Sequence, residues 1–174
     1  AWERKVTFRQ CLGHQTPFPA VFPIYTYGGD PDRLRAFVLQ RAWPKGPPVY
    51  SDINYILLGI ALERLEGCRL RDMDPGRGFS FAPPAHLTAA TEACSWRGRV
   101  LRGCVHDENC HALQGSGHAG LFGTAEAVLA FAADLLRQDA AGDDHPRLLR
   151  RALSPTRAHG WERAHAGWHG GDGC

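Results

Sequence analysis

No apolar run in this 174-residue chain approaches the roughly 20 residues that a membrane-crossing helix needs, so no membrane-spanning segment is expected. The stretch AWERKVTFRQ at the N-terminus lacks the apolar core of a secretion signal, and cytoplasm and periplasm are both compatible with the sequence. Lysine is nearly missing: Lys5 and Lys45 are the only two, all other cationic side chains being arginine. With a net charge of +2 and no basic run interleaved with aromatics, the chain has no electrostatic footprint for nucleic acid. Six cysteines (Cys11, Cys68, Cys94, Cys104, Cys110 and Cys174) lack the dense, even spacing of a small secreted disulfide scaffold, and most are expected to be free thiols. Strand-like alternation is scarce, and no internal repeat is visible. What remains is 44% apolar composition in a length that suits one domain with a core of ordinary size.

The pattern is organised around residues 48–67, PVYSDINYILLGIALERLEG, where the polar triplet Tyr50-Ser51-Asp52 runs directly into a strong helix. Ser51 or Asp52 is expected to accept from the free amides of the first turn, and Gly67 offers a left-handed stop. From Tyr55 to Leu62 the residues are apolar nearly all round, which predicts that other elements wrap the first two turns. Tyr50 would then sit at the edge of a rigid core element, a position that suits a group needing precise placement. Without further context it also reads as an ordinary half-buried tyrosine before a helix.

Upstream, residues 6–14 predict a short helix that runs into a loop broken by Pro17, Pro19 and Pro23. Asp30 and Pro31 then form a start signal for a helix over 31–42, with Leu34, Phe37, Val38 and Ala42 on one face. Residues 70–123 show no convincing period and are far longer than the usual connection of about 4–6 residues, as segments that serve a site often are. Thr124 caps an amphipathic helix whose buried stripe should be Val128, Leu129, Phe131, Ala132, Leu135 and Leu136, ending near 140–142. A further short helix is expected over 146–153. Beyond it lies a Gly-, His- and Trp-rich tail, 154–174, with no period of either kind, expected to be disordered or the product of a frameshift.

Several pieces, in order, resemble the serine β-lactamase and penicillin-binding protein family, and most closely its class C-like esterases and related hydrolases. VTFRQCLGHQTPFP at 6–19 is similar to the family's Leu-Leu-Thr-His-Thr-Ser-Gly-Leu-Pro segment. YSDINYILLG at 50–59 is similar to its second catalytic motif, Tyr-x-Asn or Tyr-Ser-Asp, with the helix beneath it. GSGHAGLFGTAEAVLAFAADLL at 115–136 is similar to its glycine-rich turn and following helix, and TEACSWRGRVLRGCVHDENCHAL at 91–113 sits where one subgroup carries a wall of the cleft. The resemblance spans roughly residues 5–153, read as a helix-rich partial domain at 1–153. It implies an α+β fold of β-lactamase/transpeptidase type, of which this chain holds chiefly the helical part, most of the antiparallel sheet being missing.

In that family the serine of a Ser-x-x-Lys motif attacks a carbonyl, and the lysine and the second-motif tyrosine move the proton, because a serine hydroxyl is a poor nucleophile until a base takes its proton. By resemblance Tyr50 would take the tyrosine's role, and Asp52 the position that contacts the lysine and orients substrate. A small acyl substrate, an ester, amide or β-lactam, is implied, with no cofactor and no metal. The chain departs from the pattern: no serine is followed three residues later by lysine. His118-Ala119-Gly120 imitates the third motif but lies in a turn before a helix and reads as a turn, with His118 and Gly120 its candidate substrate-binding residues. The resemblance therefore implies a fragment or degenerate copy that is inactive as this chain. Helix faces left without their sheet would be wet, at about 25 cal/mol per Å² of apolar surface, and would favour self-association.

Three other readings compete. Cys104, His106, Cys110 and His111 crowd eight residues, with Cys94 and His118 within reach, and zinc takes such ligands, although this spacing matches no common structural zinc pattern. A cysteine nucleophile in the irregular segment is the second. A non-catalytic binding module that keeps the cleft is the third.

Overall fold

The computed structural model describes residues 2–142; the helix expected at 146–153 and the tail at 154–174 lie outside the described residues. Helix α1 (Phe8–Leu12) follows a 3-10 turn, Trp2–Lys5, and is started by a capping box in which the Thr7 hydroxyl accepts from Gln10 N at 3.3 Å and Gln10 Oε1 accepts from Thr7 N at 3.0 Å. Helix α2 (Pro31–Gln40) begins where Asp30 and Pro31 place it, Asp30 Oδ1 accepting from Arg33 N at 2.8 Å, and stops two residues short of Ala42. Helix α3 (Asp52–Glu66) ends at Gly67, which takes φ 70° and closes the last turn on Glu63 O.

The start of α3 differs from expectation. Ser51 is the N-cap residue, yet it makes no side-chain cap; its hydroxyl donates instead to Pro19 O at 2.6 Å. A bond to a segment 32 residues earlier has displaced the cap. The helix is also wrapped on one face only. Ile53, Ile56 and Ile60 are buried with Leu34 and Val38 of α2 and with Phe18, Ile24, Trp43 and Leu113, whereas Leu62 and Leu65 are exposed. That cluster is the core.

Residues 70–123, expected to be irregular, hold two small antiparallel pairs and a short helix. Strand β1 (Phe79–Ser80) pairs with β4 (Phe122–Gly123), Phe79 opposite Gly123; β2 (Ala93–Cys94) pairs with β3 (Arg99–Val100) in a hairpin turned at Gly98. Helix α4 (Glu108–Ala112) lies between them, capped by Asp107. The result is a mixed α+β fold with small, open sheets. Helix α5 (Ala125–Ala140) is capped by Thr124, whose hydroxyl accepts from Ala127 N at 3.1 Å. Its apolar stripe is not buried as the period predicts: Leu135 is covered, while Val128, Leu129, Phe131 and Leu136 are exposed. Amphipathic spacing marks a face able to pack, and among the described residues too little chain lies over this one to cover it.

A buried ion pair ties these parts together. Arg35 on α2 forks onto Glu63 on α3, Nε to Oε2 at 2.8 Å and a terminal nitrogen to Oε1 at 2.9 Å, both side chains being 8% exposed. Arg35 also donates to Gly115 O at 3.4 Å, and Glu63 accepts from Leu70 N at 3.0 Å and takes a longer bond from Arg69. Burial would raise the Glu63 carboxyl, but the bonds from Arg35 and Leu70 N and the charges of Arg35 and Arg69 outweigh it and hold the group below the usual carboxylate range.

Candidate functional site

The Tyr50-Ser51-Asp52 triplet is fixed by a zipper between residues 14–20 and 50–54. Ser51 N donates to His14 Nδ1 at 3.1 Å, the Ser51 hydroxyl to Pro19 O, and Asp52 N to Ala20 O at 3.0 Å. One turn into α3, Asn54 is fully buried, accepts from the Thr16 hydroxyl at 2.6 Å and lays its amide nitrogen 3.2 Å from His14 Nδ1. Residues 14–20 thus order the backbone of residues 50–54. Tyr50 is 54% exposed at the rim, its ring 4.3 Å from that of His14 and tilted by 32°. Tyr55, the other tyrosine near the triplet, donates its hydroxyl to Leu12 O at 3.1 Å, and burial, with the neighbouring Tyr50 and Cys11, pushes its phenol up. That environment suits a structural tyrosine.

Asp52 is half-buried. Burial raises its carboxyl, Asp107 raises it further, and His118 pulls against both, so that the net shift is upward. The second motif and the glycine-rich turn therefore feel each other's charge. What brings the turn close is a backbone contact: a Cβ on Gly59 would lie 2.7 Å from Gly117 N, so two glycines let α3 and the turn touch main chain to main chain.

Within the turn, His118 is nearly sealed, 5% exposed, between Ser116 and Asp107. Because the Asp107 carboxylate can only accept, His118 Nε2 donates to it at 2.9 Å, while its Nδ1 is hydrogen-bonded to the Ser116 hydroxyl, also at 2.9 Å. Asp107 accepts as well from Cys110 N at 2.6 Å. Its burial favours the neutral acid, but the bonds from His118 and Cys110 N and the charges of His118 and His106 hold it below the ordinary range. The set has the composition of a hydrolase triad, but Ser116 is 6% exposed, which suits a brace. Gly120, at φ 98°, packs its Cα against Cys110, where a Cβ would meet Sγ at 2.9 Å. The sequence reads His106, Asp107, Glu108 and Asn109 as a polar turn in the wall of a cleft, but it gave no sign of the partners that Asp107 and Asn109 hold. Asn109 accepts from Tyr25 N at 3.2 Å and donates to Phe22 O at 2.9 Å, pinning α4 to the loop before α2.

Among the described residues no three His, Cys, Asp or Glu side chains converge to hold a metal. Cys110 donates to Ala119 O at 3.2 Å, His111 packs on Trp96, Cys104 meets Arg99, and His118 is spent on its brace. The zinc reading finds no such group here. Two of the cysteines are poorly suited to act as nucleophile: burial pushes Cys11 up to about 11, and burial with the charge of Asp107 pushes Cys110 up to about 11.

An open groove of about 680 Å³ does not include Tyr50 or Asp52. It runs along the outer face of α3 between Phe8 and Leu12 on one side and the Ser116–Leu121 turn on the other, with Leu62 and Leu65 in its wall. Its lining is apolar, with His118 and Ser116 at one edge. Among the described residues no helix is long and apolar enough to cross a membrane.

No curated protein and no solved structure matches the chain. The family model described as Beta-lactamase matches residues 1–173, nearly the whole length and beyond the span over which the motifs were recognised. With that match over nearly its whole length, the chain belongs to the beta-lactamase family.

Proposed function

We propose that this chain carries the tyrosine half of an acyl-serine hydrolase site. Tyr50 handles the proton, Asp52 orients the partner base and substrate, and the turn anchored by His118 and Gly120 forms the adjacent wall. The reaction is hydrolysis or acyl transfer on a small ester, amide or β-lactam. The 174 residues contain no Ser-x-x-Lys, so by themselves they are a fragment or degenerate copy that does not turn over. The observation that carries this reading is the zipper at 14–20 and 50–54, which spends several directional bonds to hold the backbone beside an exposed phenol. An ordinary half-buried tyrosine needs no such support. The same reading accounts for the apolar groove and for the bare stripe of α5, as faces that pack on further sheet in the intact family and drive self-association without it.

The test is to sequence the gene on both sides of this reading frame, express the longest open frame, and assay a chromogenic cephalosporin and p-nitrophenyl esters. A Ser-x-x-Lys upstream, activity in the longer chain and its loss in Y50F support the reading. Turnover by the 174 residues alone, or full activity in Y50F, overturns it.

A further inference from the structure

His14 stands out on grounds unrelated to any motif. It is a non-glycine residue at φ 50°, in the left-handed region, and is 3% exposed. Side chains with a Cβ rarely sit there, and such positions persist when the surroundings over-determine them. Here the surroundings are plain. His14 N donates to Cys11 O at 3.1 Å and Gln15 N to Gln10 O at 2.8 Å, closing α1, and the left-handed step swings the imidazole back toward the head of α3. A backbone N–H can only donate, so Ser51 N fixes Nδ1 as the acceptor and puts the ring proton on Nε2. The ring then lies between two tyrosines, 4.3 Å from Tyr50 and 5.0 Å from Tyr55, at the same 32° tilt to each.

These constraints differ in kind. The hydrogen bond fixes the Tyr50–Ser51 peptide along the zipper; the ring face limits where the Tyr50 side chain can swing. Tyr55 is already tethered through its hydroxyl to Leu12 O, so it backs the imidazole as a fixed wall. Tyr50 is the exposed member of the stack. We infer that His14 is a positioning residue that seats Tyr50: its Nδ1 clamps the backbone at Ser51 and its ring face sets the orientation of the phenol at the rim. The inference rests on the reading of Tyr50 as the proton-handling group, because a seat matters where the phenol must be aimed. It adds that the aim is set from a helix end 36 residues earlier in the chain and not by α3 itself.

The seat can be read without turnover. The protein is labelled with 3-fluorotyrosine, and its four tyrosines give ¹⁹F lines, the Tyr50 line being the one lost in Y50F. Two variants separate clamp from ring. H14N accepts the left-handed backbone, and its side-chain oxygen can take the Ser51 N–H, but it has no ring. H14G takes the same φ without strain and offers neither, and it guards against loss of fold. In both, the Tyr50 line is expected to move toward the position of free fluorotyrosine while the Tyr25 and Tyr27 lines stay. Amide exchange at Ser51 should remain slow in H14N and quicken in H14G. A Tyr50 line that keeps its wild-type position in both folded variants overturns the seat, whatever Ser51 does. If instead the line moves as expected but Y50F leaves the longer enzyme fully active, the seat stands and the catalytic reading of Tyr50 falls.

Discussion

Substituting Gly59 by alanine sets two physical effects against each other, and the structure says which wins. In a helix interior alanine is favoured over glycine by about 1 kcal/mol, so in isolation α3 gains from the change. In the folded chain the new Cβ would lie 2.7 Å from Gly117 N and 3.1 Å from Gly117 Cα. Both are main-chain atoms, unable to rotate away as a side chain would, and overpacking of this kind costs typically about 1–3 kcal/mol. With the cost near the upper end the net loss is about 2 kcal/mol, which at roughly 2–4 °C per kcal/mol for a chain of this size lowers the Tm by about 4–8 °C. Gly46 is the control. A Cβ there would find only Pro17 O, at an ordinary 3.8 Å, so G46A should melt at or slightly above the wild type. Thermal melts followed by far-UV circular dichroism decide the matter. A G59A protein as stable as wild type would show that α3 and the glycine turn do not touch main chain to main chain, and the approach of His118 to Asp52 would lose its basis.

Other perturbations test other joints. E63Q leaves Arg35 buried without its counter-charge and should cost about 3–5 kcal/mol, whereas R35M/E63M, which removes both charges, should recover most of the loss in urea titrations. Because the folded Glu63 carboxyl is held below its unfolded value, its contribution is present above about pH 4.3 and fades as pH falls through the folded value, so E63Q and wild type should converge in acid. Asp52 has the opposite sign: burial favours its neutral form, so ionisation costs stability as pH rises through the raised folded value. D52N should therefore be more stable than wild type at pH 7 and equal to it at pH 3, in thermal melts at the two pH values. The bare stripe of α5 and the groove along α3 should take up a hydrophobic dye, give a shallow melt and promote concentration-dependent association in sedimentation; a sharp, cooperative melt with no dye uptake would count against the fragment reading.

The parts legible in the sequence are those set by local rules. Asp30 with Pro31, Thr124 and Gly67 punctuate α2, α5 and α3 through bonds spanning three or four residues, and periodicity points Leu34 and Val38 inward. What could not be read depends on partners far along the chain. Ser51 has the right chemistry for a cap, but Pro19 O, 32 residues earlier, claims its hydroxyl. The stripe of α5 has the right spacing for burial, but spacing says nothing about whether a neighbour is present. In the irregular segment, Asp107 and Asn109 sit among polar residues that look alike in text; only the fold shows one holding His118 and the other holding Tyr25 and Phe22. His14 was visible as one letter of a familiar segment. Its left-handed backbone and its place between two rings were not.

The zipper between 14–20 and 50–54 also sets an order of events. Its N-terminal strip leaves the ribosome first and cannot complete its bonds until Ser51, Asp52 and Asn54 follow, so closing it encloses a loop that contains all of α2. The entropy of closing such a loop grows only slowly with its length, and the first contacts able to offset it are those of Ile53 and Ile56 with Leu34 and Val38. The backbone around Tyr50 is therefore held by a closure that the core contacts sustain, so a substitution that loosens the core also loosens the seat of the phenol.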